Sequence, residues 1–386
     1  AGALFTGIYG AVFIESITGA SFVGLDLIIA VLAAIVMLLV AYRGISAGAR
    51  TMITILVVQI LLVFVIALWA LAAASPNYAA PFDPSFTSWA EGGSPGNWAA
   101  LAAAGFTFFF AFYGFDGTVV FAGEAKNPYR SCALGAILCI LIVGGLYVFW
   151  AWSLMLPFTS DPTTFQSIAA AIITAGDVSP IAAQAGVALF GSANAGIALL
   201  SFALLLSSLG SGTAAALTIS RILHAMGKDE VMPKTFGKLH PKYASPYIGA
   251  LVVGIVTMLF PIGAFALGIP MINAFVFTAT WCAWGVLIMY FFVNVDNIII
   301  SGRKLTAKNV AVILLGIIGA ILMAYIWVSS GSAGIPGIAE PAATAGGPWW
   351  NSMMTPGFIW MIVGVIYLLY LRAAKPEALK RGITAV

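Results

Sequence analysis

Charged side chains are what this 386-residue sequence has least of: Asp, Glu, Lys and Arg together make up 8% of it, against about 25% in soluble domains. Hydrophobic residues reach 62%, with 11 Trp. A water-soluble fold is excluded, and the chain reads as a polytopic membrane protein. Histidine occurs twice, at His224 and His240, both beside a basic loop and without metal-ligand spacing. The three cysteines, Cys132, Cys139 and Cys282, read as structural; Cys132 and Cys139 lie on one helix start, roughly 10 Å apart, too far to bridge. No glycine-rich loop closes on Lys-Ser or Lys-Thr, so nothing points to ATP. No nucleophile–base pair or metal constellation appears, so no catalytic residue, metal or cofactor is expected and the chain does not read as an enzyme. No basic, aromatic-interleaved cluster indicates nucleic acid. An initiator Met and a signal peptide are also missing, and residue 1 already lies in apolar sequence, which predicts further residues upstream.

What is present is long apolar runs. About 20 residues suffice to cross a bilayer as a helix. On that measure the chain holds ten spans: 1–19, 22–42, 51–74, 98–123, 133–157, 196–222, 246–267, 271–293, 308–329 and 357–373. The stretch 165–175 is too short to cross and reads as a surface helix. Residues 183–195 either extend the sixth span or fold over its outer end. The expected class is therefore all-α and multi-pass, in one domain spanning 1–386.

The sparse charges order these spans. With alternating crossings, the loops 43–50, 124–132, 221–245 and 294–308 share a side with the C-terminal tail. Together they hold all 16 Lys and Arg. The opposite loops carry Asp26, Asp83, Glu91, Asp161, Asp177 and Glu340 and no base. The positive-inside rule then puts the C-terminus in the cytoplasm of a cell whose plasma membrane the chain spans. Trp349 and Trp350 read as an interfacial belt at the outer face.

One span is written unlike the others. Residues 98–123 are long and apolar, yet their middle reads Phe112-Tyr113-Gly114-Phe115-Asp116-Gly117. Glycine is a poor helix former, and a charge at mid-bilayer costs ~2.5–3.5 kcal/mol even on lenient scales. The sequence predicts an interrupted helix: a first half ending near Phe112, a short unwound strand, and a second half from Gly117 with Asp116 as its N-cap. Freed peptide groups are tolerated at membrane depth only where protein buries them or a water-filled cavity meets them. The break is thus a candidate binding site.

The break is followed by Glu124-Ala125-Lys126-Asn127-Pro128. An aromatic-rich run, a Gly-x-acid break and an E-x-K-N-P exit together resemble the sixth helix of the amino acid–polyamine–organocation superfamily. A second match, Ser220-Arg221-Ile222-Leu223-His224-Ala225-Met226-Gly227-Lys228-Asp229-Glu230-Val231-Met232-Pro233, is similar to that family's exit from helix eight. The resemblance implies the leucine-transporter fold, two five-helix repeats of inverted topology with helices one and six broken. The ten spans would be family helices three to twelve. Residues 1–74 would be the remainder of a first repeat lacking its opening two helices, 98–293 the second repeat, and 308–373 two accessory helices.

The resemblance also assigns roles. Phe110 aligns with an aromatic gate over the substrate; ordinary packing within the Phe106–Phe112 cluster is the alternative. Ala111, Phe112, Tyr113, Gly114, Phe115, Asp116 and Gly117 would supply substrate-binding backbone, the carbonyl end of the first half-helix suiting an ammonium group. Asp116 would contact a cation, move a proton, or cap. Gln59 aligns with a position where some proton-coupled relatives carry lysine, and otherwise makes an interhelical hydrogen bond. Ser207, Ser208, Ser211 and Thr213 lie among glycines on the sixth span. Ser207 and Ser211 are candidates to face a coupling ion, proton or sodium; close helix packing is the alternative. Glu15 either snorkels to the interface or lines an entry, and Asn194, Asn273 and Asn294 read as satisfying helix ends. The expected function is a secondary transporter of amino acids or related amines by alternating access. A polyamine is the alternative substrate, and a non-transporting scaffold or sensor the alternative class.

Overall fold

A computed structural model describes residues 1–73, 78–79, 111–159, 164, 167–168, 178–303, 306–332 and 355–377. These group into two units. The first takes its described residues from 1–91, 114–275 and 368–386, the second from 92–113 and 276–367. The helices are α1 (Gly2–Thr18), α2 (Leu25–Arg43), α3 (Ile45–Ala73), α4 (Gly117–Val120), α5 (Pro128–Met155), α6 (Ser179–Phe190), α7 (Ala193–Lys228), α8 (Tyr247–Ala266), α9 (Met271–Gly302), α10 (Ala307–Ser332) and α11 (Thr355–Ala374). Among the described residues seven helices are long and apolar enough to cross a membrane, while Gly2–Thr18, Ser179–Phe190 and Ile359–Ala374 are apolar but shorter. The multi-pass, all-helical reading is met among the described residues. The expected span 98–123 is described only from residue 111, and the surface helix at 165–175 and the Trp349–Trp350 belt fall essentially outside the described residues.

In the first unit α7, 36 residues long, is the central post. Helices α1, α2, α3, α6 and α8 all pack on it. Lipid tails are as apolar as Leu, so such packing draws on close van der Waals fit and hydrogen bonds rather than on water exclusion. The sequence supplies both. Gly2 of α1 lies against Gly212 and the Ser208 carbonyl, and Gly249 of α8 against the backbone of Ser220. Thr6 and Ser208, 3% and 4% exposed, share a 2.8 Å hydroxyl–hydroxyl hydrogen bond between α1 and α7. Ser201, Thr213 and Ser220 turn their hydroxyls back to carbonyls of their own helix, which lets these polar side chains sit buried without a foreign partner.

Residues 193–195 extend the sixth span as the first residues of α7. Residues 183–190 form most of a separate helix, α6, stopped by Gly191 at φ 68°. Its N–H donates to the Val187 carbonyl, and the Ser192 N–H to that of Gly186, a glycine-dependent helix stop. Helix α6 then lies so close on α7 that a side chain at Gly186 or Gly196 would collide with the other helix's backbone. Ile181, Ala182 and Ala185 complete this contact with Leu200, Ile66 and Phe158.

The basic loops are shorter than expected. Helices α2 and α3 are separated by Gly44 alone, at φ 90°, so Arg50 is helical. Helix α7 runs on to Lys228, and α9 to Gly302. Hydropathy registers only the turns inside the hydrocarbon, whereas a helix can continue into the interface with charged residues on it.

In the second unit, Gly316 and Gly319 of α10 face α9, where a side chain on Gly319 would meet the Asn294 amide. Asn294 donates Nδ2 to the Tyr290 carbonyl at 2.8 Å. The residue is interior to α9, so the expectation that it serves a helix end is corrected. Asn194 and Asn273 do lie in first turns, of α7 and α9.

Candidate functional site

The helix containing Ala111 and Phe112 is interrupted at Tyr113, as the glycines predict. The interruption is a turn over residues 113–116, followed by the four residues of α4 and a 3-10 turn, Ala122–Glu124. Gly114 sits at φ 114°, a region that side-chain-bearing residues avoid. Nothing lies within 4 Å of where its Cβ would be, so conformation alone demands glycine here.

The turn is tighter than an unwound strand. Gly117 N–H donates to the Gly114 carbonyl at 3.1 Å and Val119 N–H to that of Asp116 at 3.0 Å. The Thr118 hydroxyl donates to the Phe115 carbonyl at 2.9 Å. Three carbonyls expected to be open are therefore engaged locally, because i to i+3 bonds form as soon as the chain reverses.

Asp116 does not cap α4. Its backbone is helical, φ −66° and ψ −20°, and its side chain makes no cap hydrogen bond; a capping residue takes extended angles that aim its oxygen at the first free N–H groups. Instead, among the described residues, Asp116 Oδ1 is buried with no hydrogen-bond partner. A carboxylate oxygen left unmatched away from water is costly, which makes this oxygen a candidate to take a cation or a donor. Phe112 and Tyr113 are exposed at 37% and 39%, and Phe115 is half-buried. Phe110 lies outside the described residues. The division between units falls between Tyr113 and Gly114.

Two contacts of the second half of the break were not visible in the sequence. Cys132 Sγ donates to the Thr118 carbonyl at 3.2 Å, and Thr118 Oγ1, whose proton goes to the Phe115 carbonyl at 2.9 Å, lies 3.4 Å from the Cys132 carbonyl. They tie α4 to α5. On the other side the Arg221 guanidinium lies 4.6 Å from the centre of the Phe121 ring. Both pairs join separate elements, so no local spacing announces them.

The coupling-ion candidates are placed as follows. Gly48, Ile55 and Ile66 of α3 pack on Leu217, Gly210 and Leu200 of α7, and Gln59, one turn beyond Ile55, shares that face. Its Oε1 is buried without a hydrogen-bond partner, so the expected interhelical bond is not made by that oxygen. Ser211 is exposed and donates to the Ser208 carbonyl at 3.1 Å; Ser207 is half-buried. Glu15 lines an open cavity of about 650 Å³ with Asp26, Ile8, Phe265 and Pro270, a position that suits either expected role. Among the described residues no group of three or more His, Cys, Asp or Glu could hold a metal.

The chain is similar to proteins already known. The chain is 29% identical over 268 residues to the low-affinity putrescine importer PlaP of Escherichia coli, covering 67% of this chain and 49% of that protein. It is 27% identical over 287 residues to the branched-chain amino acid permease BcaP of Lactococcus lactis, covering 73% of this chain and 54% of the permease. It is 27% identical over 241 residues to the methylthioribose transporter of Bacillus subtilis, covering 58% and 44%. The chain thus spans about half the length of the curated relatives it matches. The amino acid permease family itself matches residues 1–331. With its many apolar helices and a family match over most of its length, the chain belongs to the amino acid permease family.

Proposed function

We propose that the protein of which this chain is part is a secondary transporter that carries amino acids or related amines across the cytoplasmic membrane by alternating access. One observation carries the reading: a turn over residues 113–116 that, among the described residues, leaves one carboxylate oxygen, Asp116 Oδ1, buried and unpaired. An ammonium group brought to that oxygen supplies the missing partner, and the desolvated pairing is strong. The neighbouring ring of Phe115 accepts the apolar part of a solute, or lies over an amine. In this reading the family's inverted-repeat arrangement moves around a midplane site, with the C-terminus and the basic loops in the cytoplasm. Transport draws on an ion gradient or on exchange, with Gln59, Ser207 and Ser211 as positions for the coupling ion.

The substrate carries an amine. A neutral amino acid fits the ring, and a diamine fits the unpaired oxygen better, in keeping with the putrescine importer among the relatives. Uptake of labelled amino acids and putrescine into proteoliposomes of the full-length protein tests this. Asp116→Asn is expected to lower uptake of the amine-bearing substrate, amino acid or putrescine, at least tenfold. Folded, monodisperse protein that neither takes up nor binds any member of the panel would overturn the proposal.

A further inference from the structure

The loop between α7 and α8 is closed by one imidazole. His240 Nδ1 accepts the Lys242 N–H at 3.2 Å and the Tyr243 N–H at 3.3 Å. A ring nitrogen that accepts carries no proton, so the closed loop takes the neutral histidine, with its hydrogen on Nε2. The His240 N–H donates to the Ser245 carbonyl at 2.8 Å, and the Ala244 N–H to the His240 carbonyl at 2.9 Å. Between these bonds Ala244 is held at φ 49°, a region that side-chain-bearing residues enter only under constraint. The closed loop delivers the buried Ser245 to the end of α2, where its hydroxyl donates to the Tyr42 carbonyl.

The surroundings of the imidazole are aromatic and basic. From α2 it meets Tyr42 edge-on at 5.1 Å, and Arg43 follows next in the chain. From α8 it meets Tyr247 at 5.7 Å. On its own loop Tyr243 stacks on it at 4.8 Å. Lys242 Nζ lies 5.5 Å from the centre of the Tyr243 ring, and Lys238 is two residues back. None of these groups is a carboxylate. A second proton can enter only at Nδ1, where two N–H donors already point. The tyrosine faces favour a cation, but they cannot replace an acceptor that two amides share. We propose that His240 is a proton-operated latch. Neutral, it closes the loop and seats Ser245 on α2. Protonated at Nδ1, it loses both amides, Ala244 relaxes, and the link from Ser245 to Tyr42 opens. Acid on the side of the basic loops therefore loosens the junction of α2 and α8. The device does not depend on what the protein carries.

Amide hydrogen exchange of the full-length protein reads the loop directly and needs no substrate. After correction for the intrinsic pH dependence of exchange, protection of residues 240–245 should fall about three- to tenfold from about pH 8 to about pH 5.5, the range over which an ordinary imidazole takes its proton. Protection within α7 should stay constant. His240→Asn keeps an acceptor placed for the N–H two residues on and does not titrate in this range, so the loop should stay protected at both pH values. His240→Phe keeps a ring without an acceptor, so at both pH values the loop should exchange as the parent does in acid. The latch fails if the parent shows no fall with acid, if His240→Asn falls as the parent does, or if His240→Phe matches the parent's protection at the higher pH. Should His240→Phe not fold, the parent and His240→Asn decide the matter between them.

Discussion

Replacing Gly114 by Ala adds one methyl group in open space, since nothing lies within 4 Å of the position its Cβ would take. A steric account therefore predicts no effect. The conformational account predicts a large one, because φ is 114° and holding a side-chain-bearing residue in such a region costs about 1–3 kcal/mol. That energy must appear somewhere. If the turn relaxes, the fraction of protein holding the binding conformation falls about fivefold to over a hundredfold, and apparent affinity falls in proportion. If the surroundings hold the turn in place, the same energy is lost from global stability. Gly117→Ala is the matched control. It lies in the same break and meets only Thr218 Oγ1, at 3.6 Å, but begins a helix, where Ala is favoured over Gly by about 1 kcal/mol. The assay is substrate affinity together with thermal unfolding for both variants in the full-length protein. Gly114→Ala should be impaired in at least one, and Gly117→Ala in neither. Equal behaviour of the two in both measurements would refute the argument.

Two further outcomes follow from the packing around α7. Gln59→Leu removes an amide oxygen that is buried and unpaired, so folded yield and unfolding temperature should be unchanged or raised, consistent with relief of about 1–3 kcal/mol of desolvation; a clear loss of stability would show that Gln59 is structurally paired, while retained folding with lost ion dependence of uptake would mark it as an ion contact. For Thr6 and Ser208, joined at 2.8 Å, a double-mutant cycle of Thr6→Val and Ser208→Ala should return a coupling of roughly 0.6 kcal/mol, and at most about 1.7; additive single effects would show that the bond contributes nothing beyond packing.

Much of this was legible in the residues themselves. Glycines flanking a carboxylate inside an apolar run cannot continue a helix cheaply, so the break at 113–116 announced itself. The hydroxyls and glycines of residues 207–213 likewise announced a crowded helix, and Thr6 and Gly2 turned out to be what crowds it. Other features depend on where distant residues arrive. Asp116 had the right type and position for a cap, but capping is a matter of backbone angle, and a helical φ and ψ turn its carboxylate away from the free N–H groups. The carbonyls of Gly114 to Asp116 were expected to face outward and were claimed instead by their own turn. Helix ends were misjudged wherever charged residues, such as Arg50 and Lys228, ride on a helix beyond its apolar stretch. The Arg221–Phe121 contact joins residues that nothing in sequence relates.

The single residue between α2 and α3 has a consequence of its own. Gly44 is wedged at its corner by Ser245 and the Tyr243 carbonyl, while the Ser245 hydroxyl grips the carbonyl of Tyr42. An elbow with one residue of slack, pinned from outside, transmits torque rather than absorbing it. Tilting α2 must drag the start of α8, so the corner couples two helices far apart in the chain as a lever couples its arms.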